Sequence, residues 1–352
     1  MNEPWVLGAG DYMIYPIKAC ILLFARSTFY AQAGRFMDRF QNGHETAAQA
    51  AGQQELWILG QPPLKKYLDF VDDLGREGAN GIRSDRVNEW RDANDYYELL
   101  MRTERNIADA IETFSLPSEL DDCAAELAAD PRFRHTFESL PTAIKMVELD
   151  RLVVCQNHVN RNFVEMLKSR LGQAADIASL FRFCLPLEEY QAPVQIREAD
   201  SRRYIFRSSS TDFRFHEALM LKPGQISGHE SFGQIAGVIG LVVGFSSNFL
   251  NAIHDDDSGR LVLNNGYHRA CALSELGITH APCIVQTVTR RDELDLIAKP
   301  IVANDPGYFF NSPRPPLLKD FKDPKIRKLC ATKKVARTIE VSYEIRDYLV
   351  EE

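Results

Sequence analysis

The residues best suited to chemistry lie in one short stretch, residues 264–269, which reads Asn-Asn-Gly-Tyr-His-Arg. An apolar segment precedes it, and Asn265-Gly266 permits a positive φ and a sharp reversal of the chain. His268 can donate a hydrogen bond or move a proton, and the planar guanidinium of Arg269 suits the oxygens of a phosphate. These residue types in this order predict an anion-binding turn.

The elements that position this turn are predicted to be a strand, a helix and a return strand within residues 260–288. Apolar residues at helical spacing follow the turn, and Gly277 is a typical helix stop. The first amides of a helix have no intrahelical acceptor, and the helix dipole favours negative charge there. We therefore expect His268 and Arg269 to face an anion from the first turn of this helix.

A purely structural interpretation of the same residues stays open. In that case Asn265-Gly266 is only a tight turn, Arg269 pairs with a surface carboxylate, and His268 is a half-buried histidine with internal partners. The strand-turn-helix context favours the anion site over this alternative.

The turn Gly266-Tyr267-His268-Arg269 resembles that of the ParB/sulfiredoxin superfamily, whose members place Gly-x-His-Arg or Gly-Glu-Arg-Arg there and hold nucleotide phosphates with it. Residues 143–171 are similar to the opening box of that superfamily, a strand followed by a helix, so the resemblance covers about 143–288. A sulfiredoxin would have a cysteine where this chain has Tyr267, so repair of sulfinic acids is not expected.

The resemblance implies that the loop 155–161 faces the turn, and both segments then contact the ligand. The predicted ligand-binding residues are Asn265, Gly266, Tyr267 and Arg269 in the turn, and Gln156, His158, Asn160 and Arg161 in the loop. His268 is the predicted catalytic residue. For the loop, a helix cap by Asn160 with ordinary polar neighbours is an equally good interpretation.

A composition of 45% hydrophobic and 26% charged residues is typical of a folded globular protein. A chain of 352 residues is too long for one ordinary core, so we expect two domains or one domain with large extensions. We predict an α+β fold with a mainly helical region at 1–140 and a ParB/sulfiredoxin-like core of a mixed sheet with packed helices at 141–290. The core carries an insertion near 173–201. A C-terminal extension at 291–352 has a Pro-rich linker at 311–316 and a final strand.

Local patterns add further expectations. Apolar spacings of three, four and seven predict a helix over 87–114. Asn160 is predicted to cap a helix over 163–171, and the short gap between 204–208 and 213–221 predicts a hairpin. The apolar run 12–25 is interrupted by Pro and Lys, falls short of the ~20 residues that span a bilayer, and is interpreted as a buried strand or helix.

The net charge of −8 argues against a protein that grips nucleic acid non-specifically, although residues 319–334 are one candidate basic patch. Seven dispersed cysteines without a Cys-x-x-Cys pair suit the reducing cytoplasm, and no metal site of the protein is predicted. Asp255, Asp256 and Asp257 fit a hairpin tip better than a Mg²⁺ site.

Together these observations predict binding of a nucleotide or a phosphorylated small molecule, with ATP or CTP and Mg²⁺ as the implied cofactors. Phosphoryl transfer or nucleotide hydrolysis would make the protein a phosphotransferase or a hydrolase. A nuclease is a second enzymatic option. The alternative from another class is a non-catalytic ligand-sensing or assembly protein, whose helical region 1–140 would contact a protein partner. The sequence leaves open whether turnover occurs.

Overall fold

The computed structural model describes residues 19–20, 52–76, 83–172, 176–187, 192–210, 212–228, 231 and 233–351. Contacts divide the chain into two compact units. The larger unit comprises Asn42–Glu189 and Ser247–Lys334, and the smaller unit comprises Met1–Gln41, Tyr190–Ser246 and Val335–Glu352.

The described strands, in chain order, are β1 (Ala19–Cys20), β2 (Gln53–Ile58), β3 (Thr113–Ser115), β4 (Thr142–Glu148), β5 (Val153–Val154), β6 (His158–Asn160), β7 (Val194–Asp200), β8 (Arg203–Ser208), β9 (Phe213–Leu221), β10 (Val238–Phe245), β11 (Asn251–Asp255), β12 (Arg260–Asn265), β13 (His280–Val288), β14 (Arg327–Thr332) and β15 (Arg337–Ser342). The described helices are α1 (Leu64–Leu74), α2 (Arg83–Thr103), α3 (Asp121–Ala129), α4 (Pro131–Phe137), α5 (Arg161–Leu171), α6 (Ile177–Cys184), α7 (Tyr267–Glu275), α8 (Leu294–Ile297), α9 (Pro300–Ala303) and α10 (Pro306–Phe310).

The larger unit is built on a six-stranded sheet with the order β3-β4-β13-β11-β12-β5. The pairs β11/β13 and β12/β5 are parallel and the others are antiparallel, so the sheet is mixed. A second, antiparallel sheet has the order β14-β2-β6. Helices pack with these sheets around two apolar clusters, a large one and a smaller one that contains Trp57, Tyr67 and Tyr97. The fold is α+β as predicted.

The smaller unit contains two antiparallel sheets, β1-β10-β9 and β15-β8-β7. The predicted hairpin between 204–208 and 213–221 is wrong, because β8 pairs with β7 and β15 whereas β9 pairs with β10. Of the apolar run 12–25, only Ala19–Cys20 is described, as a strand, and the rest lies outside the described residues.

The elements around the turn at Gly266 are confirmed. Strand β12 runs into this glycine, α7 follows at once, and β13 returns through the sheet. Helix α7 is buried on nearly every side rather than along one stripe, with Ala270, Ala272 and Leu273 fully inaccessible. The helix therefore lies inside the larger unit, and only His268 near its start and Glu275 at its end are half-buried.

The predicted helix over 87–114 ends early, at Thr103. Asn106 and Ala110 adopt positive φ angles of 61° and 47°, which a right-handed helix excludes. Beyond them Thr113 pairs with Val147, so the end of the predicted helix is the edge strand β3.

The predicted boundaries near 140 and 290 do not coincide with the division between the units. Strands β3 and β4, on either side of residue 140, pair with each other. The Leu318 amide donates to the Leu152 carbonyl at 2.9 Å, so the first part of the predicted extension belongs to the larger unit. The predicted insertion near 173–201 is also divided, since α6 belongs to the larger unit and β7 to the smaller.

The Pro-rich segment 311–316 is not a free linker, because it carries a buried ion cluster. Arg314 is 1% exposed at its side chain and contacts both oxygens of Asp320, at 2.5 and 2.6 Å. Its second partner is Glu104, at 2.9 Å. The Tyr97 hydroxyl donates to the Arg314 carbonyl at 2.8 Å. The cluster ties the end of α2 to the C-terminal part of the larger unit.

The lysines of 319–334 do not form a continuous basic patch, because acids face several of them. Lys319 lies 2.6 Å from Glu104, and Lys322 lies 2.8 Å from Asp150. The segment therefore joins elements of the larger unit instead of presenting a run of uncompensated charge.

We predict that Arg314→Met lowers the free energy of unfolding of the larger unit by about 3–5 kcal/mol, because it leaves Asp320 buried without its counter-charge. Urea denaturation of the full chain measures the loss. The control Lys328→Met removes an exposed pair with Glu89, whose side chains are 39% and 42% exposed, and should cost about 1 kcal/mol or less. Equal, small losses in both variants would show that the cluster contributes little.

Candidate functional site

The turn before α7 requires a glycine for two separate reasons. Gly266 has a φ of 87°, in the left-handed region that side chains disfavour. A Cβ at this position would also lie 2.7 Å from Leu250 Cδ1 and 3.0 Å from Leu250 Cα. The Gly266 amide donates to Asn265 Oδ1 at 2.9 Å, and Asn265 Nδ2 donates to the Ser247 carbonyl at 3.2 Å.

The first turn of α7 begins directly after this glycine. The Ala270 amide donates to the Gly266 carbonyl at 2.9 Å, which closes the first bond of the helix. Gly266 occupies the N-cap position, where it has no side chain with which to bond the first amides. These amides and the positive end of the helix dipole are the features that attract an anion to a helix start.

His268 is half-buried, and an internal bond engages its ring. Its Nε2 accepts a hydrogen bond from the backbone amide of Asn160 at 3.0 Å, and the Phe163 ring lies edge-on at a centroid distance of 5.1 Å. A backbone N–H can only donate, so Nε2 carries the lone pair and the ring is in its Nδ1–H form. While this bond is present, Nε2 of His268 does not exchange protons with a substrate.

Arg269 is 9% exposed, and it does not face solvent as its place in the first turn suggested. Its guanidinium donates to the Asn248 carbonyl. The reason is the burial of α7 on nearly every side, so the third residue of the helix points into the larger unit. This bond holds the Arg269 guanidinium in place, so its positive charge stays in the interior, and the residue itself is the third of the helix.

The Tyr267 side chain is an interior anchor. It is 3% exposed, and its hydroxyl donates to the Leu263 carbonyl and lies 2.9 Å from Cys155 Sγ. Burial raises the pKa of this hydroxyl well above its usual value. Lys299 Nζ lies 4.5 Å from the centroid of the Tyr267 ring, which places a second positive charge near the start of α7. The predicted ligand contact through the Tyr267 side chain is corrected to a packing role.

Asn160 joins the predicted loop to the predicted turn. Its backbone amide donates to His268 Nε2. Its side-chain Oδ1 accepts from the Phe163 backbone amide at 2.9 Å, which confirms the predicted cap of α5. Its Nδ2 donates to Gln53 Oε1 at 3.1 Å and to Glu55 Oε1 at 2.9 Å. Asn160 therefore caps α5 and also contacts the turn before α7, so the helix cap does not exclude the predicted role of the loop beside the turn.

His158 lies on the same strand as Asn160, and its ring is held on several sides. Its Nδ1 is 2.9 Å from Glu55 Oε2. The ring stacks on Trp57 at a centroid distance of 4.7 Å and a tilt of 16°, and Phe70 lies 5.0 Å away. Gln156 Nε2 donates to the His158 carbonyl at 2.6 Å, so Gln156 supports the loop.

Arg161 forms ion pairs within the larger unit rather than presenting a free cation. Its guanidinium contacts Glu275 at the end of α7 and Glu165 one turn along α5. Lys168 also reaches Glu275, at 2.9 Å. Burial alone would raise the pKa of Glu275, but the hydrogen bonds from Lys168 and Arg161 outweigh it and lower the pKa. Arg161 therefore clamps α5 to α7.

Sequence reasoning missed two acceptors of this site, Gln53 and Glu55, which lie in a region interpreted as helical. A weak signal exists, because Gln53, Glu55 and Trp57 alternate with other residues at the period of two expected for one face of a strand. Nothing in the sequence relates Glu55 to His158, which is 103 residues away. The positions of Asn248 and Lys299 were also missed.

The predicted hairpin tip at residues 255–257 is confirmed as a turn. Asp255 accepts from the Ser258 amide at 3.1 Å and lies 2.6 Å from Arg291 Nη1, so internal partners engage its carboxylate. Within the described residues, no group of three or more His, Cys, Asp or Glu side chains is arranged to hold a metal ion.

Comparison of the chain with protein-family models, curated proteins and solved structures finds no match. The resemblance to the ParB/sulfiredoxin superfamily therefore stays a prediction that rests on the turn and its neighbours. Among the helices of the described ranges, none is both long and apolar enough to cross a bilayer.

We predict that Gly266→Ala destabilises the larger unit more than Gly277→Ala does. Both glycines have positive φ angles, 87° and 80°, but no atom lies within 4 Å of a Cβ at Gly277. The control should cost about 1–2 kcal/mol for the backbone alone. Gly266→Ala should cost about 1–3 kcal/mol more, for the contact with Leu250. Thermal and urea unfolding measure both, and equal losses would mean that the turn tolerates a side chain.

The lowered pKa of Glu275 predicts a pH-dependent contribution to stability. A carboxyl with a depressed folded pKa stabilises the fold above its unfolded pKa and loses this effect as pH falls through its folded pKa. The difference in unfolding free energy between the natural protein and Glu275→Gln should be largest near neutral pH and shrink under acid conditions. Glu98→Gln, which removes an exposed partner of Arg102, is the control and should give a nearly constant difference. A constant difference for Glu275→Gln as well would contradict the ion-pair account.

Proposed function

We propose that this protein binds a nucleotide or a phosphorylated small molecule, with a phosphate at the start of α7. The observation that carries the proposal is the left-handed Gly266 turn, against which Leu250 packs and after which a nine-residue helix begins without a side-chain cap. Such amides suit phosphate because they donate without any side chain having to be ordered on binding.

Two cations close to the turn support the proposal. Arg269 follows Tyr267 by two residues, and Lys299 Nζ lies 4.5 Å from the centroid of the Tyr267 ring. A charge held in a partly buried position acts more strongly on a nearby anion than one in water, because the effective dielectric constant is lower.

The rest of a ligand would meet groups that accept as well as donate. Gln53, Glu55 and Asn160 gather beside His268 and are half-buried, so a hydroxyl or a ring amine can replace part of their internal bonding. ATP or CTP with Mg²⁺ fits this site as a class, since phosphates, hydroxyls and ring amines all find partners. Mg²⁺ would arrive on the phosphates, as it commonly does.

If the ligand is turned over, phosphoryl transfer or hydrolysis is the class that this geometry favours, because such reactions depend mainly on positioning and charge neutralisation. A non-catalytic sensor is the second candidate. The bond between Asn160 and His268 Nε2 favours it, because ligand contact at α7 would be transmitted directly to β6 and β2. Release of phosphate in the presence of Mg²⁺ separates the two functions.

We predict that ATP, CTP or a phosphosugar at millimolar concentration raises the melting temperature, because a ligand that binds only the folded state stabilises it. Lys299→Met should weaken the bound ligand about tenfold or more, the usual loss for one charge-assisted contact. The matched control is Lys325→Met, since Lys325 also lies 4.5 Å from a tyrosine ring centroid, that of Tyr96. Isothermal titration calorimetry measures both variants. No thermal shift with any of these compounds would remove the proposal.

A further inference from the structure

The described site contains two histidines in different chemical situations. His268 uses its Nε2 internally, as the acceptor of the Asn160 amide. His158 instead directs Nδ1 at Glu55 Oε2, at 2.9 Å. The polar atom left on the His158 ring is Nε2, on the opposite edge, and the side chain is 36% exposed. In its Nδ1–H form the ring of His268 has no lone pair besides the one that accepts from Asn160. The ring of His158, with Nδ1 at the Glu55 carboxylate, keeps a lone pair on Nε2 and is therefore the one suited to accept a proton from a bound molecule.

The surroundings hold His158 in a single orientation. Trp57, which is 1% exposed, stacks on one face of the ring, and Phe70 packs against it at a tilt of 40°. The Glu55 side chain is 16% exposed, so solvent competes weakly for its oxygens. A carboxylate at Nδ1 fixes the tautomer with the lone pair on Nε2 and stabilises the imidazolium that forms when Nε2 takes a proton.

Glu55 also places this pair beside the start of α7. Its second oxygen, Oε1, accepts from Asn160 Nδ2, while the Asn160 amide donates to His268. His158 and Asn160 lie on the same side of β6, with the buried Val159 between them, about 7 Å apart along the strand. The Glu55 carboxylate thus orients His158 and also accepts a hydrogen bond from Asn160, which contacts the first turn of α7.

We propose that His158 is the general acid–base of this site and that Glu55 is its positioning residue. The inference rests on the proposed function, and it moves the proton-transfer role from His268, where the sequence placed it, to His158. In hydrolysis, the oxygen of a water bonds to the terminal phosphorus while the bond from that phosphorus to the leaving phosphate oxygen breaks. The electron pair of the broken bond stays on the leaving phosphate, and the proton of the water passes to His158 Nε2, which later releases it to solvent.

The first experiment tests reactivity independently of turnover. The full chain is treated with diethyl pyrocarbonate, and the rate of modification of each histidine is followed by peptide mass spectrometry. We expect His158 to react several times faster than His268, and ATP with Mg²⁺ to slow the reaction of His158. Equal reactivity of the two histidines would overturn the assignment, whatever the ligand proves to be.

The second experiment measures single-turnover hydrolysis of ATP and CTP with Mg²⁺ across pH. His158→Gln should lose about 100-fold or more in rate while nucleotide affinity, from calorimetry, stays within a few-fold. The rise of rate with pH that reflects deprotonation of the histidine should vanish in this variant. Glu55→Gln, which retains a side chain able to hydrogen-bond Nδ1, should lose about tenfold or more. Circular dichroism checks that both variants fold.

The matched control is His280→Gln, which removes a histidine that lies beside Phe114 and bonds Thr279. It should leave rate and affinity unchanged. If the natural protein binds nucleotide and releases no phosphate, or if His158→Gln turns over normally, the assignment is overturned while the binding proposal survives. If no nucleotide or phosphosugar binds, the proposed function fails and the assignment falls with it.

Discussion

The site depends on the hydrogen bonding of one residue, Asn160. Its side chain caps α5 through the Phe163 amide and bonds Gln53 and Glu55 on β2, while its amide bonds His268 on α7. Loss of the half-buried Asn160 side chain would leave its partners without these bonds, at about 1–3 kcal/mol for each group that stays out of water. Asn160 therefore holds α5, α7 and β2 in one arrangement.

That arrangement brings opposite charges to one place. The amides of α7, Arg269 and Lys299 favour an anion, whereas Glu55 disfavours one. The conflict is reduced because Glu55 is bonded on both oxygens, to His158 and to Asn160.

Local patterns predicted the parts of the fold that local forces determine. The strand, the Asn265-Gly266 turn and the helix after it follow from residue type and spacing, and so does the cap by Asn160. The burial of Tyr267 and Arg269 was not predictable, because α7 is packed on nearly every side and its residues show no exposed stripe. The role of Glu55 was equally hidden, since it depends on the pairing of β2 with β6 across 103 residues. The Pro-rich segment looked like a linker because its composition does not reveal that Arg314 pairs with Asp320.

The most direct test of the account is an NMR titration of the backbone amides with ATP and Mg²⁺ in the full chain. If a phosphate binds at the start of α7, the largest shift changes are expected at the backbone amides of Tyr267, His268 and Arg269, with coupled changes at Asn160. Saturable shifts confined to other parts of the chain, with these amides unmoved, would contradict it.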